Sequence, residues 1–150
     1  MSENLRVIAR FADGRLLKGT TQDFLPNRPQ FHLLPADGSP AVEVRCGRLK
    51  ALFFVRTLEG EPAHEDLRGF LDAPAQTAQG RKVAVQFRDG EFMCGHALSY
   101  QPEREGFFLT PVDPAGNNIR VFVIVAATAR IKTGPAAEEL AAQVLSRVGG

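Results

Sequence analysis

Cys94 and His96 stand two apart in a segment of strand-like alternation, so their side chains share one face and form a local thiol–imidazole pair. A zinc site needs three or four converging ligands, and a catalytic thiol needs an orienting group and a pocket beside its base. Nothing near the pair supplies either. The other histidines, His32 and His64, fall in a third strand and in a linker. Cys94 and His96 therefore read as a packed thiol beside a rim imidazole, with no metal, no cofactor and no catalytic residue expected. Cys46 and Cys94 sit in strand-like segments at positions that do not correspond within the chain's repeated pattern, and both are expected as reduced, packed thiols of a cytoplasmic protein rather than as a disulfide.

Charge is the next place to look for chemistry. The net charge is +1, but residues 1–58 carry nine Lys or Arg against five Asp or Glu, and residues 59–80 carry one against five. Arg10, Arg28, Arg45, Arg48 and Lys50 make up the basic face of the first region, the side chains that would meet phosphates. A nucleic-acid protein usually shows a net basic domain or a dense basic stripe. With charge so nearly balanced, a weak single-stranded RNA or nucleotide binder is the second reading. The first is a non-enzymatic interaction or regulatory module with an unknown protein partner. Phe31, Phe53, Phe54, Phe107 and Phe108 could stack on bases, yet without tryptophan these rings have to fill the core. Asp13, Asp37, Asp89 and Asp113 recur at matched places, each in a predicted turn where Asp bonds its own backbone. Asn117-Asn118 likewise reads as a turn with one residue at positive φ.

These residues belong to a duplicated pattern. Residues 6–37 laid over 82–113 give eleven identities in 32 positions, from Val7/Val83 and Phe11/Phe87 to Pro35/Pro111, concentrated on turn formers and apolar residues. Two diverged copies of one unit explain this, since solenoid repeats need at least three copies to support one another. Within a copy, Val7, Ala9 and Phe11 alternate with Arg6, Ile8 and Arg10, which predicts a strand. Asp13-Gly14 and Asp89-Gly90 then predict a two-residue hairpin with both central residues at positive φ. Gly19 and Gly95 fall inside the second strand, where a missing Cβ marks a bulge or sharp bend. A third strand precedes Pro35 and Pro111, and turns at 36–40 and 113–118 lead to a fourth. Residues 49–55 supply a fifth strand and residues 126–132 its weaker counterpart. Pro135 followed by Leu140, Val144 and Leu145 predicts a C-terminal helix. In the linker, Leu67, Phe70 and Leu71 could dock from one helical turn.

The stretch from Val7 to Phe24, with its Asp-Gly, a glycine five residues on, then an apolar residue and an acid, resembles the first motif of Sm and Lsm proteins. Residues 82–100 match it too, with Tyr100 in place of Phe24. The family's RNA-pocket asparagine is offset here, at Pro26-Asn27-Arg28. The strings 49–55 and 106–123 are also similar to an uncharacterised bacterial family found with signalling proteins such as PilZ domains. Arg6 and Arg10 have the Arg-x-x-x-Arg spacing with which PilZ domains hold a cyclic dinucleotide, but without the companion Asp-x-Ser-x-x-Gly they read as a solvated strand face.

The expected fold is all-β: two tandem SH3-like or Sm-like five-stranded small barrels, 1–58 and 81–132, joined by an acidic linker at 59–80 and followed by a helix in 133–150. No apolar run approaches the ~20 residues of a membrane-spanning helix, and the opening residues lack the apolar stretch of a secretion signal, so no membrane partner is expected. Sm-type proteins pair fourth and fifth strands of neighbouring subunits, and 49–55 is apolar on both faces. A strand of that kind needs a cover on each side. The second copy, folded back, is expected to provide it, with a homodimer through the remaining edges.

Overall fold

The computed structural model describes residues 5–59, 80–98, 100–112 and 117–148. The linker helical turn and His64, Ser99 and Asp113 lie outside the described residues. In chain order the elements are β1 (Leu5–Phe11), β2 (Leu16–Thr21), β3 (Gln30–Pro35), β4 (Val42–Arg45), β5 (Leu49–Val55), β6 (Arg81–Phe87), β7 (Phe92–Ala97), β8 (Gly106–Pro111), β9 (Asn118–Ile124), β10 (Thr128–Thr133) and α1 (Pro135–Val148). The all-β class with a C-terminal helix is as expected. The strands pair as one ten-stranded sheet in the order β10-β6-β7-β8-β9-β5-β1-β2-β3-β4. All neighbours are antiparallel. Its first half holds β1–β5 and its second half β6–β10, with the same pairing order in each.

The hairpins differ from expectation in one respect. Phe11 N–H donates to the Arg15 carbonyl at 2.9 Å and Gly14 N–H to the Phe11 carbonyl at 3.0 Å, with Phe87, Glu91 and Gly90 repeating the pattern at 2.8 and 3.0 Å. That is a three-residue loop: a type I turn closed by a left-handed glycine. Gly14 has φ 95° and Gly90 φ 96°, and no described non-glycine residue has positive φ, so Asp13 and Asp89 stay on the ordinary side. Their carboxylates accept the N–H of Arg15 at 3.0 Å and of Glu91 at 2.9 Å, which closes each turn as the sequence implied.

Gly19 and Gly95 have ordinary φ, and their constraint is close approach. A Cβ at Gly19 would stand 2.0 Å from the Leu34 carbonyl oxygen, and one at Gly95 2.3 Å from that of Thr110. Here β2 and β7, still paired with β1 and β6, also take up β3 and β8 on their other edge, in the registers Gly19↔Pro35 and Gly95↔Pro111.

The two halves meet where β5 pairs with β9, from Ala51↔Val123 to Phe54↔Arg120. Every residue of β5 is buried, as its two-faced apolar sequence requires. Its side chains alternate between two cores. Leu52 and Phe54, with Phe122 and Ile124 of β9, join Val7, Phe31, Leu33 and Val44 of the first half, while Ala51, Phe53 and Val55, with Val121 and Val123, join Val83, Val85, Phe87 and Leu109 of the second. The β5–β9 ribbon is thus the common wall of both cores. A third cluster forms where Ala137, Leu140 and Ala141 of α1 cover Ala84, Cys94 and Val112 on the opposite face of the second half. Pro135 opens that helix, just after Gly134 at φ 61°.

Two further boundaries shift. Ala126 and Ala127, expected to begin the last strand, instead lie in a 3-10 turn, Val125–Ala127, matching that at Cys46–Arg48. Asn118 already belongs to β9, and Asn117, placed by the sequence in a turn with positive φ, clamps the two halves instead. Its Oδ1 accepts the Thr57 N–H and its Nδ2 donates to the Thr57 carbonyl, each at 3.0 Å.

Candidate functional site at the junction of the two halves

Lys50 lies on β5 and was expected on an open basic face. It is instead 9 % exposed at its side chain, with Nζ 2.8 Å from Asp89 Oδ2 and bonded to Glu91. The ammonium also sits 4.7 Å from the centre of the Phe87 ring. All three partners belong to the β6–β7 hairpin, so this lysine fastens one half to the other and is spent for phosphate binding. Asp89 is accordingly held below the usual carboxylate range by the hydrogen bond from Lys50, then by the Glu91 N–H. Beside it runs a cavity of about 140 Å³, bounded by Ala12, Gly47 and Leu49 on one side and Arg88, Asp89 and Ala126 on the other. Arg88 closes its rim by donating to the Ala126 carbonyl at 2.9 Å.

The remaining basic residues do not converge on one point. Arg10, exposed on β1, leans its guanidinium 5.5 Å over the Phe53 ring. Arg45 lies 3.6 Å from Glu43 on its own strand. Arg28 lies in the loop before β3, which Cys46 ties down by donating its N–H to the Pro29 carbonyl at 2.9 Å and its Sγ–H to the Arg28 carbonyl at 3.7 Å. Arg48, exposed on the 3-10 turn, accepts the Ala12 N–H at its carbonyl, 3.0 Å away. Phe31, Phe53, Phe54 and Phe107 are core rings. Phe108 is half-buried beneath the Arg120 guanidinium, 4.4 Å from its ring centre. Phe24 and Tyr100, at matched places in the two halves, pack edge-on against Phe31 and Phe107 at 5.3 and 4.7 Å.

Residues 3–133 match a family model described as a family of unknown function (DUF6982). The chain belongs to that family. No curated protein and no solved structure matches it. The match ends with β10, so α1 lies beyond the region shared with the family model.

The nucleophile and ligand candidates of this family member are built into its packing. Cys46 and Cys94 are buried free thiols, and burial followed by the nearby Glu105 charge pushes the Cys46 thiol up to about 11. His96 is buried on β7, and burial, then Lys82, lowers its pKa. His32 Nδ1 lies 2.7 Å from Asp23 Oδ2, while its N–H donates to Oδ1 of the same carboxylate at 2.9 Å, which ties the β2–β3 loop to β3. Among the described residues no three His, Cys, Asp or Glu side chains converge as a metal site would require. Asp37 accepts the Ser39 N–H at 2.9 Å, the local turn bond expected of it.

The Lys50 interlock and the Asn117 clamp escaped sequence reasoning. The available signal was the lone lysine in an otherwise apolar β5, which a basic-face reading treats as exposed.

Proposed function

We propose that this chain is a non-enzymatic interaction or regulatory module of the cytoplasm, built from two duplicated Sm-like small barrels fused through a fourth-strand to fifth-strand seam. Support comes from the strand order β5-β1-β2-β3-β4, repeated as β10-β6-β7-β8-β9, and from the glycine-permitted crossing in the second strand of each unit. The observation that carries the function is the pair of unmatched sheet ends. The β5–β9 seam leaves one fourth strand, β4, and one fifth strand, β10, as the two outermost strands of the sheet, with no further strand paired to either among the described residues. Such edges add strands from other chains.

Both are guarded. Glu43 and Arg45 on β4, and Arg130 and Lys132 on β10, stand where the internal seam is largely apolar. Charges of this kind limit indiscriminate pairing and leave a weak, selective contact. A homodimer joining β4 of one copy to β10 of another fits the same edges. Photo-crosslinking residues at Glu43 and Arg130 of the full chain, activated in cells, should give discrete adducts with a second polypeptide. Absence of adducts at both sites would remove the edge-pairing reading.

The second reading is a weak single-stranded RNA or nucleotide contact in which the exposed Arg10, Arg28, Arg45 and Arg48 contribute and Lys50 is excluded. A mixed oligonucleotide pool titrated at several salt concentrations tests it, since phosphate-driven affinity falls steeply with salt.

A further inference from the structure

The β1–β2 ribbon and the β6–β7 ribbon are paired alike. Arg6↔Thr20, Ile8↔Lys18 and Arg10↔Leu16 in the first half correspond to Lys82↔His96, Ala84↔Cys94 and Gln86↔Phe92 in the second. On the second ribbon these residues form the outer face, turned away from the core, and α1 lies across it. Ala137 and Ala141 let the helix approach closely, Leu140 fills the space against Ala84 and Cys94, and Phe92 packs at the margin. Glu138 in the first turn of the helix bonds Lys82 at 2.5 Å. The second ribbon therefore shows what this surface accepts: an amphipathic helix with a small-residue face and an acidic first turn.

The matching face of the first half lacks such a cover among the described residues. Leu16, in the place of Phe92, is 44 % exposed, and Leu34, beside Thr20, is also 44 % exposed. Ile8 is half-buried, against the Phe53 side of the sheet. Arg6, Arg10 and Lys18 surround these apolar side chains, and among the described residues none of the three is ion-paired. The face thus combines apolar anchors with three cations and no carboxylate of its own, the complement of an acidic amphipathic surface. We propose that the outer face of the β1–β2 ribbon docks an acidic amphipathic helix of a partner protein, in the manner in which the β6–β7 ribbon holds α1. The helix axis would run over Ile8 and Leu16, with its acidic turn against Arg6, the counterpart of Lys82, and Lys18 and Arg10 flanking it. This rests on the reading of the chain as an interaction module and names its partner class.

The test uses the full chain and a helix-stapled peptide of residues 135–148, the one helix known to suit this kind of surface. In isotope-edited NMR titrations the peptide should shift the amides of residues 6–10 and 16–20, and the Glu138→Gln, Glu139→Gln peptide should bind at least tenfold more weakly. Leu16→Asp and Lys18→Glu, both at exposed positions, should each weaken binding at least tenfold with an unchanged far-ultraviolet spectrum. Three results would overturn the proposal: no shift at millimolar peptide, shifts confined to the β6–β7 ribbon, or binding indifferent to both substitutions. A cross-link from Lys18 into residues 59–80 of the same chain would overturn it in favour of an internal cover. Failure here leaves the adducts expected at Glu43 and Arg130 untouched, so the two readings fail separately.

Discussion

Lys50 shows how a residue type can point one way and its surroundings another. As a cation within a basic region it suits a phosphate, but on a strand buried along its length its ammonium must be paired, and Asp89 and Glu91 are the groups that reach it. Removing it strands two carboxylates that are about half exposed. Lys50→Ala should therefore lower stability by about 1–3 kcal/mol, short of the loss expected for a fully buried pair. Because the folded pKa of Asp89 is depressed, its contribution is complete above the unfolded value of about 3.9 and vanishes as pH falls through the lower folded value. Urea unfolding at pH 7 and in stronger acid should show the gap between wild type and Lys50→Ala closing at the acid end; a gap independent of pH would dissociate Lys50 from Asp89. At Gly19 and Gly95 any Cβ meets carbonyl oxygen of the neighbouring strand. Valine at either should cost about 1–3 kcal/mol or more, and unchanged melting temperatures would refute the close crossing.

Among the elements, α1 offers the clearest separate measurement. Leu140 is 3 % exposed and helps to cover Cys94. Leu140→Ala should cost about 2–4 kcal/mol and expose the Cys94 thiol to a maleimide before global unfolding. Cys46, in the other half's core with its pKa near 11, should remain unreacted. Equal labelling of both would mean that α1 does not act as a separate cover. The strands and the helix were legible because their signals are local: alternation in β1, the glycine and proline punctuation of β2 and β3, and Pro135 at the helix start. The two-faced apolar sequence of β5 even called for a cover on each side, and the cores of the two halves supply them. What stayed hidden was set by tertiary contact. Asp13-Gly14 does not distinguish a two-residue from a three-residue loop, and Asn117 looks like any turn asparagine until Thr57 is placed opposite it.

At the scale of the whole molecule, the wall shared by both cores makes the halves depend on each other. Residues 1–58 alone would leave Ala51, Phe53 and Val55 facing water, so that fragment should aggregate or dimerise in light scattering. A well-behaved folded monomer would show that the wall needs only one side. The intact chain should unfold in a single transition with coincident near- and far-ultraviolet signals.

The same wall imposes an order on biosynthesis. β5 is finished at residue 55, but β9, the strand that pairs along its seam edge, begins only at residue 118. At ~5–20 residues per second the ribosome takes several seconds to make that interval, during which the seam edge of β5 has no native partner. The nascent first half cannot reach its final form until most of the second has emerged, and contacts so distant in sequence are slow to close. Slowing elongation between residues 56 and 118 should therefore lower the yield of soluble protein, whereas slowing it before residue 49 should not.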